Sequence, residues 1–396
     1  MNVAHCRRLQ FIEVEIVGLE GNFTKLSDVI EGRVTDFLFW EDELQVMNRE
    51  IYIDGRPIGR SALPYVVAEM SGNHNHDLNR ALKIIDAAKA AGADAVKLQT
   101  YRADTITIDH DSDEFFVRGG LWDGRRLFDL YEEAHTPWEW HKPIFDHARS
   151  IGLTVFSSPF DFTAVDFLEG LGVPAYKIAS PELIDLPLIR KVASTGKPII
   201  ISTGASRFSE IEEAVNAARE AGATDIIVLH CTAAYPAPLK EANLATLKGL
   251  AERLNVLVGL SDHTLGTIVS SLAVAMGACF IEKHFTLSRE DGGVDSAFSL
   301  EPKELAELVL ESRNAHAAVG YERFEPTESE LSVLKNRRSL YVVKPIAKGE
   351  KLSLENVRSI RPGNGMKPKY LDMVLGKRAI RNIAFGEPLS SEMIEE

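Results

Sequence analysis

Eight short apolar runs, set at near-regular intervals between about residues 64 and 320, narrow what this chain can fold into. YVVAEM, AVKLQT, LTVFSSP, AYKIAS, PIIISTG, IIVLHCT, LVGLSD and CFIEKHF are rich in β-branched residues and carry polar residues at their C-terminal ends. Runs of this kind read as strands buried on both faces, as in a parallel sheet. Helical stretches lie between them. LNRALKIIDAAKAAGA has apolar residues at helical spacing and ends at Gly92. SEIEEAVNAAREAGA opens with Ser209 as the expected N-cap, Glu212 three residues later completing a capping box, and closes at Gly222. LGTIVSSLAVAMGA ends at Gly277 and ELAELVLESRNAHAAVG at Gly320. Each strand but the last is followed within reach by a helix, at the spacing βαβ units require. Eight such units predict an α/β fold, a (β/α)8 TIM barrel of about 250 residues.

The flanks read differently. Residues 1–60 form an N-terminal extension in which IEVEIVGLEG and REIYIDGRPIG each suit a strand or hairpin, the second with a turn at Asp54–Pro57. The barrel takes residues 61–320, a linker with a short helix 321–336, and a small α+β module 337–396. About 60 residues is small for a domain standing alone, so the module is expected to pack on its barrel or on a partner chain.

The net charge of −14 repels nucleic acid and anionic membranes, so an anionic substrate needs a local basic pocket. Three widely spaced cysteines imply no disulfide framework and fit a reducing compartment. No run of about 18 apolar residues suggests a membrane span, and the N-terminus lacks the pattern of a signal peptide. The expected location is cytoplasmic.

Barrel enzymes keep their working residues at the C-terminal strand ends. Here those ends carry Glu69 and Asn73; Lys97 and Gln99; Ser158; Lys177, Ser180 and Glu182; Ser202; His230 and Tyr235; Ser261 and His263; and Glu282, Lys283 and His284. A core does not tolerate such groups unpaired, so they are expected to converge on one wet cavity. Lys97, Lys177, Ser158, Ser180, Ser202 and Ser261 suit an anion held by charge-assisted hydrogen bonds. The competing reading pairs each lysine with a buried carboxylate such as Glu69 or Glu182. His263 and His284 end adjacent strands and suit two ligands of one divalent metal, manganese or magnesium, with open positions for substrate oxygens. His74 and His230 compete for that role on spacing alone. Cys231, next to His230, is expected to face away from the cavity as a small buried hydrophobe. Glu69, Glu182 and Asp295 are the candidate acids and bases. Asp295 lies in EDGGVDSAFS, a loop able to close over the site. Trp138 and Trp140 of TPWEWH read as packing residues.

AEMSGNHN, KLQT, SSPFD, AYKIAS, ISTG, HCTAAYP, GLSDHT, EKHFT and the late SIRPGNG, in that order, resemble the sialic acid synthase family over residues 47–396. TPWEWH, AEMSGNHN and HCTAAYP resemble its pseudaminic acid synthase branch. The resemblance implies condensation of phosphoenolpyruvate with the open-chain form of an N-acylated hexosamine. It implies that His263 and His284 hold the metal, that the two lysines and four serines hold phosphoenolpyruvate, and that Glu69, Gln99, Glu182, Tyr235 and Asp295 face the sugar and water. The last module resembles the antifreeze-like (SAF) domain, which in the family swaps across a homodimer so that Arg361 reaches the partner's site. Neuraminate-type members carry an asparagine where Ala233 stands. That departure disfavours N-acetylmannosamine and favours a 2,4-diacetamido-2,4,6-trideoxy hexose. N-acetylneuraminate and legionaminic acid synthesis are the alternatives within the family. Outside it stand a condensing barrel for phosphorylated aldoses, an aldolase using Lys97, Lys177 or Lys283 as a Schiff base, and a non-catalytic sugar-acid binding protein.

Overall fold

The computed structural model describes residues 49–395. The IEVEIVGLEG segment lies outside them. The chain divides into two compact units, with the boundary between Gly320 and Tyr321.

The first unit opens with an antiparallel hairpin, β1 (Ile51–Ile53) and β2 (Arg56–Ile58). Its turn is tighter than the DGRP motif suggests. Only Asp54 and Gly55 form it, with φ of 50° and 77°, and Arg56 and Pro57 already belong to β2. Left-handed values at both positions match a two-residue hairpin turn. Ile51, Ile53 and Ile58 are buried against Tyr65, Val67, Ala95, Phe156, Leu257 and Phe280 at the strand N-termini of the barrel. The Tyr65 and Phe280 rings stack at 5.4 Å within this layer. The hairpin therefore plugs the barrel floor. Ile53→Ala is expected to cost about 2–5 kcal/mol, because the closed floor cannot collapse into the space. A urea melt checks this, and a midpoint equal to the parent's would mean that the plug is loosely packed.

The barrel strands follow as β3 (Tyr65–Glu69), β4 (Ala95–Thr100), β5 (Thr154–Pro159), β6 (Tyr176–Ile178), β7 (Ile199–Ser202), β8 (Ile226–Cys231), β9 (Leu257–Asp262) and β10 (Phe280–His284). They close in sequence order, every pair parallel, with β10 returning to β3. This is the (β/α)8 barrel expected from the sequence. The last strand too is followed by a helix, Pro302–Val319. The outer helices bury small and branched residues such as Ala81, Ile84, Ala88, Leu188 and Leu308 against the strands' outer faces.

One helix start differs from its expected place. The helix after β7 is Phe208–Glu220, capped at Arg207 rather than at Ser209. The Glu210 carboxylate accepts the Arg207 backbone N–H at 2.6 Å, and the Arg253 guanidinium sits 3.6 Å over the Phe208 ring. These two anchors add a residue pair to the first turn.

The second unit pairs β11 (Ser339–Val342) with β12 (Val357–Ile360), antiparallel, and adds one short helix, Leu371–Val374. Its own small core gathers Leu340, Val342, Ile346, Val357, Val374 and Leu389. Among the described residues no helix is long and apolar enough to cross a membrane.

Candidate active site

Side chains alternate along a strand, so half of each strand end looks into the barrel. Register puts Lys97 beside Glu69, Glu69 beside His284, Gln99 beside Ser158, and Glu282 beside Ser261. A connected polar cluster results. Lys97 Nζ pairs with the Glu69 carboxylate, lies 3.7 Å from Glu282 Oε1, and donates to Ser158 Oγ at 3.3 Å. Lys177 Nζ donates to the same Glu282 oxygen at 3.1 Å, and Ser261 Oγ does so at 3.2 Å. Gln99 Nε2 donates to Glu69 Oε1 at 3.3 Å and to Ser71 Oγ at 3.0 Å.

Both lysines are almost fully buried, at 3% and 2% exposure. In this state they pair with carboxylates, as the competing reading held, but the second partner is Glu282 and not Glu182. Burial opposes the charge on Glu282, and Lys177 and Lys97 outweigh it to hold its pKa below the usual range. Glu69 goes the other way. Burial raises it, and Lys97 offsets only part of that.

Among the described residues the cluster leaves buried polar atoms without partners: Ser202 Oγ, Glu182 Oε2, Glu282 Oε2 and His284 Nδ1. Orphans of this sort are few in native folds and cost free energy unless something else meets them. Here four of them belong to residues at the strand ends, where a bound molecule can satisfy them.

The two imidazoles stand side by side, ring centroids 5.4 Å apart. His263 Nδ1 lies 3.0 Å from the Thr232 carbonyl oxygen, which fixes the tautomer and leaves Nε2 bare. Burial, then the neighbouring charges of His263 and the lysines, keep His284 neutral, the form that binds a metal. Burial opposes protonation of His263 as well, but the adjacent Cys231 thiol outweighs it and raises the pKa. Among the described residues no group of three or more His, Cys, Asp or Glu forms a metal cluster. Two neutral-capable imidazoles with an orphan nitrogen fit a divalent ion that takes its other ligands from substrate and water.

Asp295 accepts a hydrogen bond from Ser71 Oγ and lies 3.9 Å from His284 Nδ1. Burial raises its pKa, against the hydrogen bonds from Ser71 and the Gly72 backbone. Glu182, in the turn after β6, is raised to about 7, chiefly by burial. In the unfolded chain it titrates near 4.5. The folded state therefore holds the Glu182 proton more tightly. That contribution is complete below pH 4.5 and is lost as pH rises through about 7. Glu182→Gln cannot ionise. It is expected to exceed the parent's stability at pH 8 by on the order of 1–3 kcal/mol, with no such gain near pH 4.5. Chemical denaturation at the two pH values checks the sign, and equal differences at both would place Glu182 in water.

Tyr235 covers His263, ring centroids 4.3 Å apart, and burial pushes its hydroxyl pKa up. Ser180 Oγ accepts the Gly204 N–H at 2.9 Å. Asn73 is fully buried. Its amide donates to the Phe285 carbonyl and to Ser299 Oγ, both at 2.9 Å, and so ties the first strand's loop to the last. Arg361 lies in the second unit, exposed just beyond β12. Trp138 stacks on Phe167 at 4.5 Å and Trp140 meets His74 edge-on at 5.6 Å, the packing expected of them.

Three expectations need correction. Cys231 does not face away: its sulfur lies 3.8 Å from His263 Nδ1. His230 instead bonds the Ala242 carbonyl oxygen at 2.7 Å, towards the helix layer, and His74 bonds Thr136. Because neighbours on a strand alternate, turning His230 outward turns Cys231 inward. Lys283 is no free amine. It is locked to Asp262 Oδ2 and the Thr264 carbonyl oxygen, each at 2.7 Å, behind the strands. Sequence reasoning put Glu282 at a strand end without giving it a role, and left Ser71 and Phe298 out of the site. Counting back two from His284 finds Glu282. Ser71 and Phe298 sit in loops that carry no such period.

A parallel barrel whose strand ends gather titratable groups around one cavity is the architecture of an enzyme. The family model for the NeuB family matches residues 84–324, and that for the SAF domain matches residues 337–395. The chain belongs to the NeuB family. It is 44% identical over 328 residues to the pseudaminic acid synthase of Campylobacter jejuni, covering 82% of this chain and 95% of that one. The pseudaminic acid synthase of Helicobacter pylori is 42% identical over 335 residues, covering 84% and 98%. Among solved structures, the N-acetylneuraminic acid synthetase of Leptospira borgpetersenii, in complex with citrate, is 32% identical with a TM-score of 0.65, covering 72% of this chain and 95% of that one.

Proposed function

We propose that this protein condenses phosphoenolpyruvate with the open-chain aldehyde of an N-acetylated amino sugar, releasing phosphate and a nonulosonic acid. The observation that carries this reading is the pair of buried lysines, with orphaned polar groups, beside two adjacent imidazoles. The names of the relatives agree with it. The sugar is a 2,4-diacetamido-2,4,6-trideoxy hexose, since Ala233 stands where neuraminate-type members carry asparagine.

The lysine charges and Ser158, Ser180, Ser202 and Ser261 hold the phosphate and carboxylate of phosphoenolpyruvate. A divalent ion on His263 and His284, manganese or magnesium, would supply Lewis-acid polarisation of the aldehyde oxygen. Carbon 3 of phosphoenolpyruvate bonds to the aldehyde carbon, whose oxygen takes up a proton. Water adds at carbon 2, and the carbon 2 to oxygen bond then breaks, phosphate leaving with the proton of the new hydroxyl as carbon 2 becomes the ketone. Glu69 or Asp295 takes the water's proton, both carboxyls being raised toward the working range by burial. Gln99 and Ser71 orient those two carboxyls.

Phosphate release with manganese, across a panel of amino sugars and phosphorylated aldoses, tests the reading. Release with the altro-configured trideoxy sugar alone supports it. Release with N-acetylmannosamine means that Ala233 does not exclude the neuraminate substrate. No release from folded, metal-loaded protein favours a binding role.

The second unit serves its site from a partner chain, Arg361 meeting the sugar's N-acyl group across a swapped homodimer. Its exposed position in a small unit supports this. Chains carrying Arg361→Ala and chains carrying Lys97→Ala, each inactive, are expected to regain part of the activity when co-expressed. No recovery would rule out an exchanged site.

A further inference from the structure

Beyond the imidazoles the cavity wall is aromatic. Phe298 lies edge-on to His284 at 4.8 Å and meets Tyr235 at 5.2 Å. Trp122 completes the surface, 5.6 Å from Tyr235 and 6.3 Å from Phe298. It comes from the long connection between β4 and β5, a segment braced by its own ties. Val117 N–H donates to the Arg125 carbonyl at 2.8 Å, and Arg126 pairs with Asp109, Asp111 and Asp129. The Trp122 indole N–H donates to the Val294 carbonyl at 3.0 Å, next to Asp295.

The polarity of this wall constrains what rests on it. The indole N–H is already used, Phe298 has no polar atom, and among the described residues the Tyr235 hydroxyl makes no hydrogen bond. A fully hydroxylated sugar tail laid here would lose water at several oxygens and recover one hydrogen bond at most. A deoxygenated tail ending in a methyl group loses nothing and buries apolar surface. We propose that Trp122, with Phe298 and Tyr235, forms the subsite for the deoxygenated methyl end of the sugar and makes Trp122 a specificity-determining residue. This rests on the condensation reading for the identity of the substrate.

The test compares the parent protein, Trp122→Phe and Trp122→Ala, with unchanged melting temperature as the check on folding. Two readouts are taken with the trideoxy diacetamido hexose and with N-acetylmannosamine: kcat/KM by phosphate release, and sugar binding by calorimetry in the presence of phosphate. Trp122→Ala is expected to weaken binding of the trideoxy sugar, and its kcat/KM, by about tenfold or more, the low end of what one methyl group in a fitted apolar pocket is worth. The KM for phosphoenolpyruvate should not move. Trp122→Phe keeps the ring and loses the N–H, and should retain most of the preference. An equal fall for both sugars in Trp122→Ala, or a loss in Trp122→Phe as large as in Trp122→Ala, overturns the subsite and leaves Trp122 a latch for the Asp295 loop. Binding without turnover by the parent sinks the condensation reading while the calorimetry still decides the subsite. Binding of neither sugar overturns both.

Discussion

Replacing His263 or His284 with alanine is expected to lower kcat/KM about a thousandfold while leaving the melting temperature little changed. The two imidazoles lie 5.4 Å apart, and one carries a buried nitrogen with no partner among the described residues. Their contribution is therefore to a bound group more than to the fold. A Lewis acid at a reacting oxygen supplies several kcal/mol, and each 1.4 kcal/mol is about a factor of ten in rate. The check is phosphate release together with metal content by mass spectrometry after dialysis. Loss of bound metal with loss of rate fits the assignment. Full activity in either variant would remove that imidazole from the chemistry.

Glu282→Gln should fail differently. This carboxylate lies between two lysines, 3.1 Å from one and 3.7 Å from the other, and takes the Ser261 hydroxyl as well. Removing its charge leaves two buried ammonium groups close together, with Glu69 pairing one of them. Breaking a buried pair from one side costs about 3–5 kcal/mol, a large part of a typical domain's stability. Added phosphate should restore much of this, and more in the variant than in the parent, because an anion between the lysines replaces the lost charge. Thermal melts with and without phosphate measure both effects. A variant that is destabilised but indifferent to phosphate and phosphoenolpyruvate would show that the lysines do not form an anion site.

The barrel was legible because strands buried on both faces have no reason to carry polar residues except where they end. KLQT, GLSD and EKHF break that rule near their ends, and Lys97, Gln99, Ser261 and Glu282 from them meet in the polar cluster. Which face each polar residue takes was harder to read. Glu282, Lys283 and His284 are consecutive, and only the closed sheet settles that the first and third look inward while Lys283 bonds Asp262 behind them. The same alternation reverses His230 and Cys231. Side-chain pairing was half legible. That the lysines meet carboxylates follows from burial, but the choice of Glu282 over Glu182 depends on strand order around the ring. Trp122 and Phe298 could not be placed at all, since loops of this length carry no period to read.

The hairpin at the barrel floor has a consequence for traffic. Ile51, Ile53 and Ile58 fill that end with apolar side chains, which leaves the strand C-termini as the face where polar groups meet solutes. Lys97 and Lys177 stand further down the shaft than the rings around Tyr235. A sugar resting at the rings would then lie over an anion held at the lysines. Under the condensation reading, loading is therefore expected to run in order, anion before sugar.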